Sequence, residues 1–451
     1  MTFGRWVAGC GLALGAAACG GDGTGPNASP GRIFVDSDPR GAAVYLDGTA
    51  TGLHTPDTLR QVASGTRRVE VRLDSAGVAF ATAGDVNVTG GGVVSVVIPL
   101  LTTCNGTGNC VGSSAVYHDV ASLHFATNPA AMPFFNGGRG DGLKYPGVAG
   151  YDYASVGAPV FTGVPSGIGG IVALGVYPFN STVPPLWAGR PAPPDSTTNG
   201  TLILHQSTWI VPPALLVQTS VPRGLQVDQR IVGRSDVDGA LFIRVVFRNI
   251  SATSAYRFLD PPAPAAGITY SAAYVGWGMD ADIGTASTLD DLYTFIPALN
   301  MAVMYDAPMS EPGFSGPPAL VGLRMIQGPA GASTVSLGAW PAAADWLGTD
   351  QPVGWFALTN NGDKSGSTVF APEPVSPGDY RISVAAGPIT LAPGDSVAFT
   401  VAVVLALPAP NTYTPGTVLH PGDPNNPARP FQAVAAPLIQ RARAAEALST
   451  R

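Results

Sequence analysis

The chain has 451 residues and a net charge of -7, with 12% charged and 45% hydrophobic residues. Lysine is nearly absent (Lys144 and Lys364), so the basic surface that phosphate contacts require is missing, which argues against nucleic-acid binding. Glycine (57 residues) and proline (43 residues) are abundant, but the hydrophobic residues fall in short alternating runs, which favours a packed β protein over a disordered chain.

The chain begins with the features of an export signal. Arg5 gives a positive start, and residues 6–18 form an apolar segment that is too short to span a bilayer. Small residues precede Cys19, and a flexible linker, residues 20–30, follows it. This arrangement resembles the lipobox of bacterial lipoproteins, although Ala16 stands where a lipobox prefers leucine. The resemblance implies a signal peptide over residues 1–18 and a membrane anchor on Cys19, whereas an ordinary cut after Ala18 would leave a soluble protein.

A compact β unit is predicted over residues 31–100. Residues 43–46 alternate with the period of a half-buried strand. Asp47–Gly48 then predicts a hairpin turn, because glycine accepts positive φ. A second alternating run covers residues 68–73, and valine-rich segments continue the pattern to the end of the unit.

Turn-forming and core residues of this unit recur at a distinctive spacing. They are Pro39, Arg40, Gly41, Ala42, Val44, Leu46, Asp47, Gly48, Gly52, Thr55, Pro56, Leu59 and Gly65. The spacing resembles the PEGA domain, with Arg40 where the eponymous motif has glutamate. The resemblance implies a small immunoglobulin-like β-sandwich, found in exported and cell-envelope proteins and lacking catalytic residues.

A linker, residues 101–113, follows and carries two cysteines. Cys104 and Cys110 lie six positions apart in a glycine-rich loop of a chain with an export signal, which predicts a local disulfide. A metal site would need further ligands, and His118 is the only close candidate.

Residues 114–430 are predicted to form one large antiparallel β-sandwich, because strand-like segments recur there without alternating helices. The clearest segment is 240–249, in which Leu241, Ile243, Val245 and Phe247 share one face while Arg244 and Arg248 reach solvent. The other segments are 170–176, 201–211, 214–221, 225–232, 270–279, 301–305, 319–326, 353–358, 380–384 and 397–405.

Residues 431–451 are rich in helix formers and predict one C-terminal helix docked on the sandwich. The docking face is expected to comprise Val434, Leu438, Ile439, Ala442 and Ala445. The predicted fold class is therefore all-β: a small PEGA-like sandwich followed by a large antiparallel sandwich and one C-terminal helix.

Short segments of the large region loosely resemble β-rich ectodomains of secreted bacterial surface proteins. They are residues 247–251, 274–284, 290–291, 387–388 and 391–396. The resemblance implies a place at the cell surface and no defined reaction.

Four aspartates are candidate ligands for Ca²⁺, the one possible cofactor. Asp280 and Asp282 end an aromatic-rich strand, and Asp290 and Asp291 follow one loop later. Ca²⁺ takes about six to eight oxygen ligands, of which these carboxylates could supply several. Alternatively, the aspartates cap turns and a helical segment over residues 288–292.

No convincing catalytic constellation is found, so no catalytic residue is assigned. Gly313–Gly316 is one residue short of a serine-hydrolase elbow. Glu311 and Glu373 both lie in proline-containing turns, so no pair of carboxylates stands out for glycosidase chemistry.

The sequence therefore predicts a non-catalytic, lipid-anchored cell-envelope protein, exported to the outer membrane and lying at the cell surface or on the periplasmic face. Its partners are expected to be the membrane and, through loops of the large sandwich, glycan or another envelope component. The alternatives are a secreted polysaccharide-active hydrolase using Asp280, Asp282 or Asp291, and a purely structural envelope protein. An open cleft at Asp280 would favour the hydrolase, and a closed cluster would favour calcium or capping.

Overall fold

A computed structural model gives the structure of the protein. It describes residues 29–38, 40–75, 78–99, 102–103, 116–127, 134, 142–147, 149–154, 156–167, 172–175, 186–187, 201–210, 214–216, 219–221, 223–253, 256, 264–284, 289–341, 368–369, 376–422 and 429–449. The predicted signal peptide, Cys19, and the predicted disulfide between Cys104 and Cys110 lie outside these residues, as does the predicted strand 353–358.

The first unit is a two-sheet sandwich. Its strands are β1 (Gly31–Asp38), β2 (Ala43–Leu46), β3 (Thr49–His54), β4 (Asp57–Val62), β5 (Gly65–Ser75), β6 (Val78–Val88) and β7 (Val93–Pro99). One sheet has the order β4-β1-β7, with β1 and β7 parallel, and the other has the order β3-β2-β5-β6. The predicted turn joins β2 to β3, with positive φ at Asp47 (49°) and Gly48 (80°). Apolar residues of both sheets, among them Ile33, Val44 and Val71, form one buried core, which confirms the predicted small sandwich.

The large unit contains the remaining strands. They are β8 (Thr102–Thr103), β9 (Val116–Val120), β10 (Leu123–Thr127), β11 (Leu143–Tyr145), β12 (Tyr151–Asp152), β13 (Val156–Pro165), β14 (Val172–Gly175), β15 (Leu186–Trp187), β16 (Thr201–Ile210), β17 (Ala214–Leu216), β18 (Thr219–Val221), β19 (Leu225–Arg234), β20 (Ala240–Asn249), β21 (Tyr270–Asp280), β22 (Asp291–Ile296), β23 (Met301–Asp306), β24 (Leu320–Gln327), β25 (Thr334–Pro341), β26 (Thr368–Val369), β27 (Tyr380–Leu391) and β28 (Ser396–Ala406). A short 3-10 helix, Pro297–Leu299, lies between β22 and β23.

Two large sheets form the body of this unit. The six-stranded sheet has the order β14-β13-β21-β27-β25-β26, and the seven-stranded sheet has the order β16-β19-β20-β28-β24-β23-β22. Pairing is antiparallel except between β25 and β26. A four-stranded sheet, β12-β11-β10-β9, shares the buried core that the two large sheets enclose.

The seven-stranded sheet buries apolar side chains on both faces. In β20, Leu241 and Ile243 point into the core between the sheets, whereas Phe242 belongs to a second core on the opposite face. Arg244 and Arg248 are exposed, as predicted. Burial on both faces explains why several strands of this sheet read as continuous apolar runs.

Two helices, α1 (Pro430–Val434) and α2 (Ala436–Ser449), cover the second core. The predicted C-terminal helix is thus confirmed, with a break at Ala435; Pro437 is tolerated because it lies in the first turn of α2. The predicted docking face is buried except for Ile439, which is half-buried. None of the described helices is long and apolar enough to cross a membrane.

Two local predictions differ from the structure. The predicted strand 214–221 is a hairpin of β17 and β18. The predicted helical segment 288–292 gives way to β22, all of whose residues are buried. β22 shows no alternation because both of its faces are covered, so the period-2 pattern of a half-buried strand is absent.

Candidate functional site

An acidic centre forms where strands of the two large sheets end or begin. β21 of the six-stranded sheet ends at Asp280, and β23 of the seven-stranded sheet ends at Asp306. Asp291 begins β22 and lies directly opposite Asp306 in the antiparallel pair. The Gly378 N–H donates to the Asp291 carbonyl oxygen (2.9 Å), which brings Asp379 to the same place.

The carboxylates of this centre fall into two groups. Asp280, Asp282 and Asp379 form the first, here called the Arg381 group because Arg381 contacts it. Asp290, Asp306 and Glu311 form the second, here called the Glu311 group. Within each group, one carboxylate oxygen from every residue lies within 4.8 Å of the others.

The Arg381 group contains its own positive charge. Arg381 Nε donates a hydrogen bond to Asp280 Oδ2 at 3.0 Å, and both side chains are largely buried (18% and 12% exposed). Burial raises the pKa of Asp379, and the positive charge of Arg381 opposes that rise. This group is therefore an ion-paired cluster that balances part of its own charge.

The Glu311 group is more deeply buried. Asp306 is 1% exposed and Glu311 is 4% exposed. The Ser310 N–H donates to Asp306 Oδ2 (2.5 Å), whereas Asp306 Oδ1 and Asp290 Oδ1 accept no hydrogen bond from the described residues. Burial is the main cause that raises the pKa of Asp306 to about 7; the Ser310 N–H opposes this rise, and the negative charges of Asp290 and Glu311 contribute to it. No basic side chain in the described part of the chain contributes to this shift.

Asp291 connects the two groups electrostatically. It is 1% exposed, and its Oδ2 accepts a hydrogen bond from the Ile283 N–H at 3.2 Å. Its Oδ1 has no hydrogen-bond partner among the described residues. Burial raises the pKa of Asp291 well above its usual range, and the charges of Asp282, Asp306 and Asp290 act in the same direction. A buried carboxyl among other carboxyls is costly unless a proton or a cation balances it.

The loop of residues 307–319 closes over the Glu311 group. Its Phe314 ring stacks on Tyr151, with 3.4 Å between ring centroids and 12° between planes. The loop ends where the Ala319 N–H donates to the Tyr153 hydroxyl oxygen (3.0 Å). These contacts with Tyr151 and Tyr153 hold one side of the loop. On its other side, the Glu311 side chain lies among the carboxylates. The loop therefore covers the buried Asp306 and Glu311, whereas Asp282, Asp290 and Asp379 at the margin of the centre are half-buried.

The Glu311 carboxylate also packs against the backbone of Gly284. Gly284 has a φ of +90°, and a Cβ atom at this position would overlap the Glu311 carboxylate. The Gly284 N–H donates to the Asp152 carbonyl oxygen (3.1 Å), which fixes the segment that follows β21. A glycine is required here by both its backbone conformation and this close approach.

The four predicted ligands are distributed over the whole centre. Asp280 and Asp282 lie in the Arg381 group, Asp290 lies in the Glu311 group, and Asp291 lies between them. No sequence pattern described above selects Asp306, Glu311, Asp379 or Arg381 as part of this centre. Asp306 directly follows the predicted strand 301–305, so the strand-end argument applied to Asp280 could have found it.

Glu311 gave no such signal. It was interpreted as a turn residue, and it does lie in a turn, since the Phe314 N–H donates to its carbonyl oxygen (3.0 Å). Only the folding of residues 307–319 back over the sheet ends brings its side chain to the aspartates.

Comparisons with known proteins identify one part of the chain. Residues 30–99 match the PEGA domain family, so the resemblance seen in the sequence is confirmed and this unit is a PEGA domain. No curated protein gives a match. Among solved structures, the chain is similar to a family GH92 inverting mannosidase from Bacteroides thetaiotaomicron, at 9% identity and a TM-score of 0.24. The match covers 69% of this chain and 27% of the mannosidase chain, and a similarity this weak does not bear on activity.

Proposed function

We propose that the protein is a non-catalytic, lipid-anchored protein of the cell envelope. Cys19 carries the anchor, residues 20–30 act as a flexible tether, and the PEGA domain separates the large sandwich from the membrane. The observation that carries this proposal is the PEGA domain at residues 30–99, which begins directly after a lipobox-like leader and linker. Several acyl chains on one cysteine would hold the protein stably, whereas a single chain binds a bilayer only marginally.

The burial of Asp280, Asp291 and Asp306 in the acidic centre supports the non-catalytic part of the proposal. A general acid must come within about 3 Å of the oxygen that it protonates. Asp291 and Asp306 are each 1% exposed, and Asp280 is 9% exposed and bound to Arg381. The burial of these three carboxyls hinders the approach of a glycosidic bond, whereas Asp282, the remaining candidate of the hydrolase alternative, is half-buried. The hydrolase alternative requires the same carboxyls to line an open cleft.

The proposed role of the large sandwich is to bind glycan or another envelope component through its loops. Loops held by a rigid sheet scaffold are common binding surfaces, because the scaffold fixes their ends. The seven-stranded sheet, covered by the second sheet on one face and by α2 on the other, is such a scaffold. Outer-membrane placement, at the cell surface or on the periplasmic face, belongs to the same proposal.

Cell fractionation of cysteine variants tests the anchor. The full chain with its leader is produced in a Gram-negative host, and membranes are washed with high salt to remove loosely bound protein. Wild type is expected in the membrane fraction, and Cys19→Ser is expected in the soluble fraction. The matched control is Cys10→Ser, which alters a cysteine inside the predicted signal peptide and should leave the wild-type distribution unchanged.

Two results would contradict the proposal. Equal membrane retention of wild type and Cys19→Ser would exclude Cys19 as the anchor. Release of reducing sugar from envelope polysaccharide by the purified protein, abolished in Asp282→Asn, would favour the hydrolase alternative instead.

A further inference from the structure

The carboxylates of the Glu311 group are spaced as ligands of a single ion. Ca²⁺ binds oxygen at about 2.3–2.6 Å, so two ligands on opposite sides of one ion lie at most about 5 Å apart. The oxygens of Asp290, Asp306 and Glu311 lie within 4.8 Å of one another, inside that limit. Asp306 and Glu311 are buried and Asp290 is half-buried, so carboxylates held this close repel one another unless positive charge lies among them.

The buried carboxyl of Asp291 provides a second, independent observation that points to a bound cation. Its carboxyl is 1% exposed, and its Oδ1 receives no hydrogen bond from the described residues. The charges that act on it come from Asp290, Asp306 and Asp282. Buried polar oxygens are normally hydrogen-bonded, and each exception calls for an explanation such as an ion.

The strand pairing also brings two of these like charges together. Asp291 and Asp306 are directly opposite each other in β22 and β23. Side chains at such positions have Cβ atoms about 5 Å apart, and like charges there destabilise a sheet. The Asp306 Oδ1 is also without a hydrogen-bond partner in the described part of the chain. The fold therefore holds two buried aspartates face to face, beside two further carboxyls.

We propose that Asp290, Asp306 and Glu311 bind one Ca²⁺, and that Asp291, directly opposite Asp306, is a positioning residue that adds negative charge. The donor set contains only carboxylate oxygen, which suits a hard cation and not Zn²⁺ or Cu²⁺. Mg²⁺ gives up its water reluctantly and prefers to keep several, so the burial of Asp306 and Glu311 favours Ca²⁺. This assignment goes beyond the proposed function and does not depend on it.

The Arg381 group is the natural comparison within the same molecule. It also has three carboxylates, with one oxygen from each within the same limit of 4.8 Å. However, Arg381 donates to Asp280 at 3.0 Å, so a guanidinium already provides positive charge there. The sequence places Asp280 and Asp282 among the candidate ligands, but the geometry favours the other group.

Calcium in the Glu311 group would tie a loop to two strands. Asp290 directly precedes β22, Asp306 ends β23, and Glu311 comes from the loop of residues 307–319. A shared ion would join these segments at the point where their carboxyls otherwise repel. Binding is therefore expected to raise the melting temperature of the large sandwich.

Calorimetric titration with CaCl₂ tests this site on the purified full chain after treatment with EDTA and dialysis. Wild type is expected to bind one Ca²⁺ per chain and to melt at a higher temperature in Ca²⁺ than in EDTA. Asp306→Asn and Glu311→Gln should each weaken Ca²⁺ binding by about tenfold or more, since each removes a charged ligand. The matched control, Asp379→Asn in the Arg381 group, should retain wild-type affinity within about twofold.

The variants also report on folding. Without calcium, Asp306→Asn should melt at a temperature no lower than wild type, because it removes one of the buried like charges. If Asp306→Asn fails to fold, Glu311→Gln provides a second variant for the binding measurement. The proposal is overturned if wild type binds no Ca²⁺ at millimolar concentration, or if Mg²⁺ binds as tightly. It is equally overturned if Asp379→Asn loses binding while Asp306→Asn and Glu311→Gln keep it.

Discussion

Among single residues, Gly284 and Gly313 allow two costs of replacing a glycine to be separated: the strain of a left-handed backbone and a steric clash of the new side chain. Both glycines adopt a left-handed backbone, with φ of +90° and +88°. A Cβ atom on Gly313 would meet no other atom within 4 Å, whereas a Cβ atom on Gly284 would overlap the Glu311 carboxylate. The backbone cost of an alanine is thus nearly the same at the two positions, and only Gly284 adds a clash inside the acidic centre.

Gly284→Ala is therefore expected to destabilise the protein more than Gly313→Ala does. The left-handed backbone costs roughly 1–2 kcal/mol for either alanine. The clash should add a further cost of about 1–3 kcal/mol at Gly284 alone. Urea unfolding of the two variants measures the difference in unfolding free energy. Equal losses in both variants would mean that Glu311 does not pack against Gly284.

Part of the acidic centre could be predicted from the sequence. Asp280, Asp282, Asp290 and Asp291 stand out because they follow or precede strand-like runs, and the structure places all four in the centre. Their division between two groups could not be predicted. It depends on Arg381 and Glu311, which are distant in sequence and are brought to the aspartates only by the pairing of strands from both sheets.

At the scale of elements, one buried arginine joins α2 to the seven-stranded sheet. Arg324 of β24 is 4% exposed. Its guanidinium donates to the Leu299 carbonyl (2.9 Å), to the Ala442 carbonyl and to the Glu446 carboxylate (2.6 Å). Two of these acceptors belong to α2, so the arginine adds directed hydrogen bonds to the apolar contact of Leu438 and its neighbours.

Arg324→Ala is expected to lower the free energy of unfolding by roughly 2–4 kcal/mol, because it leaves buried carbonyl oxygens without a donor. Arg443→Ala is the matched control: Arg443 is exposed on the same helix, and its loss should change stability by less than about 0.5 kcal/mol. Denaturant unfolding monitored by circular dichroism measures both. Similar midpoints for the two variants would contradict this role of Arg324.

The sequence predicted the C-terminal helix because its apolar residues recur on one side at a helical period, which is local information. It did not predict β22 as a strand. Leu292 is buried on one face of the sheet, and Tyr293 and Phe295 belong to the core on the other face. Apolar and polar residues therefore do not alternate along β22, and this alternation is what would separate a strand from a helical segment. The break between α1 and α2 was also not predictable from the sequence, because a proline such as Pro437 fits either a break in a helix or its first turn.

At the scale of the whole molecule, the PEGA domain was predictable and the order of the large sheets was not. The PEGA unit has short turns whose residues mark it directly in the sequence, although its sheets also pair distant strands such as β1 and β7. In the large unit, β21 pairs with both β13 and β27, which lie more than a hundred residues apart. Periodicity indicates which face of a strand is buried, but it does not specify the neighbouring strand.

Acyl chains on Cys19 are proposed to hold the chain at a membrane, and mass spectrometry of the mature protein detects this modification itself. The protein is extracted from membranes of the producing cells with detergent and digested, and its N-terminal peptide is analysed. If Cys19 carries the anchor, the peptide begins at Cys19 and carries the added mass of acyl chains. A peptide that begins at Cys19 with a free thiol, or that still contains the leader of residues 1–18, would show that Cys19 is not the lipid anchor.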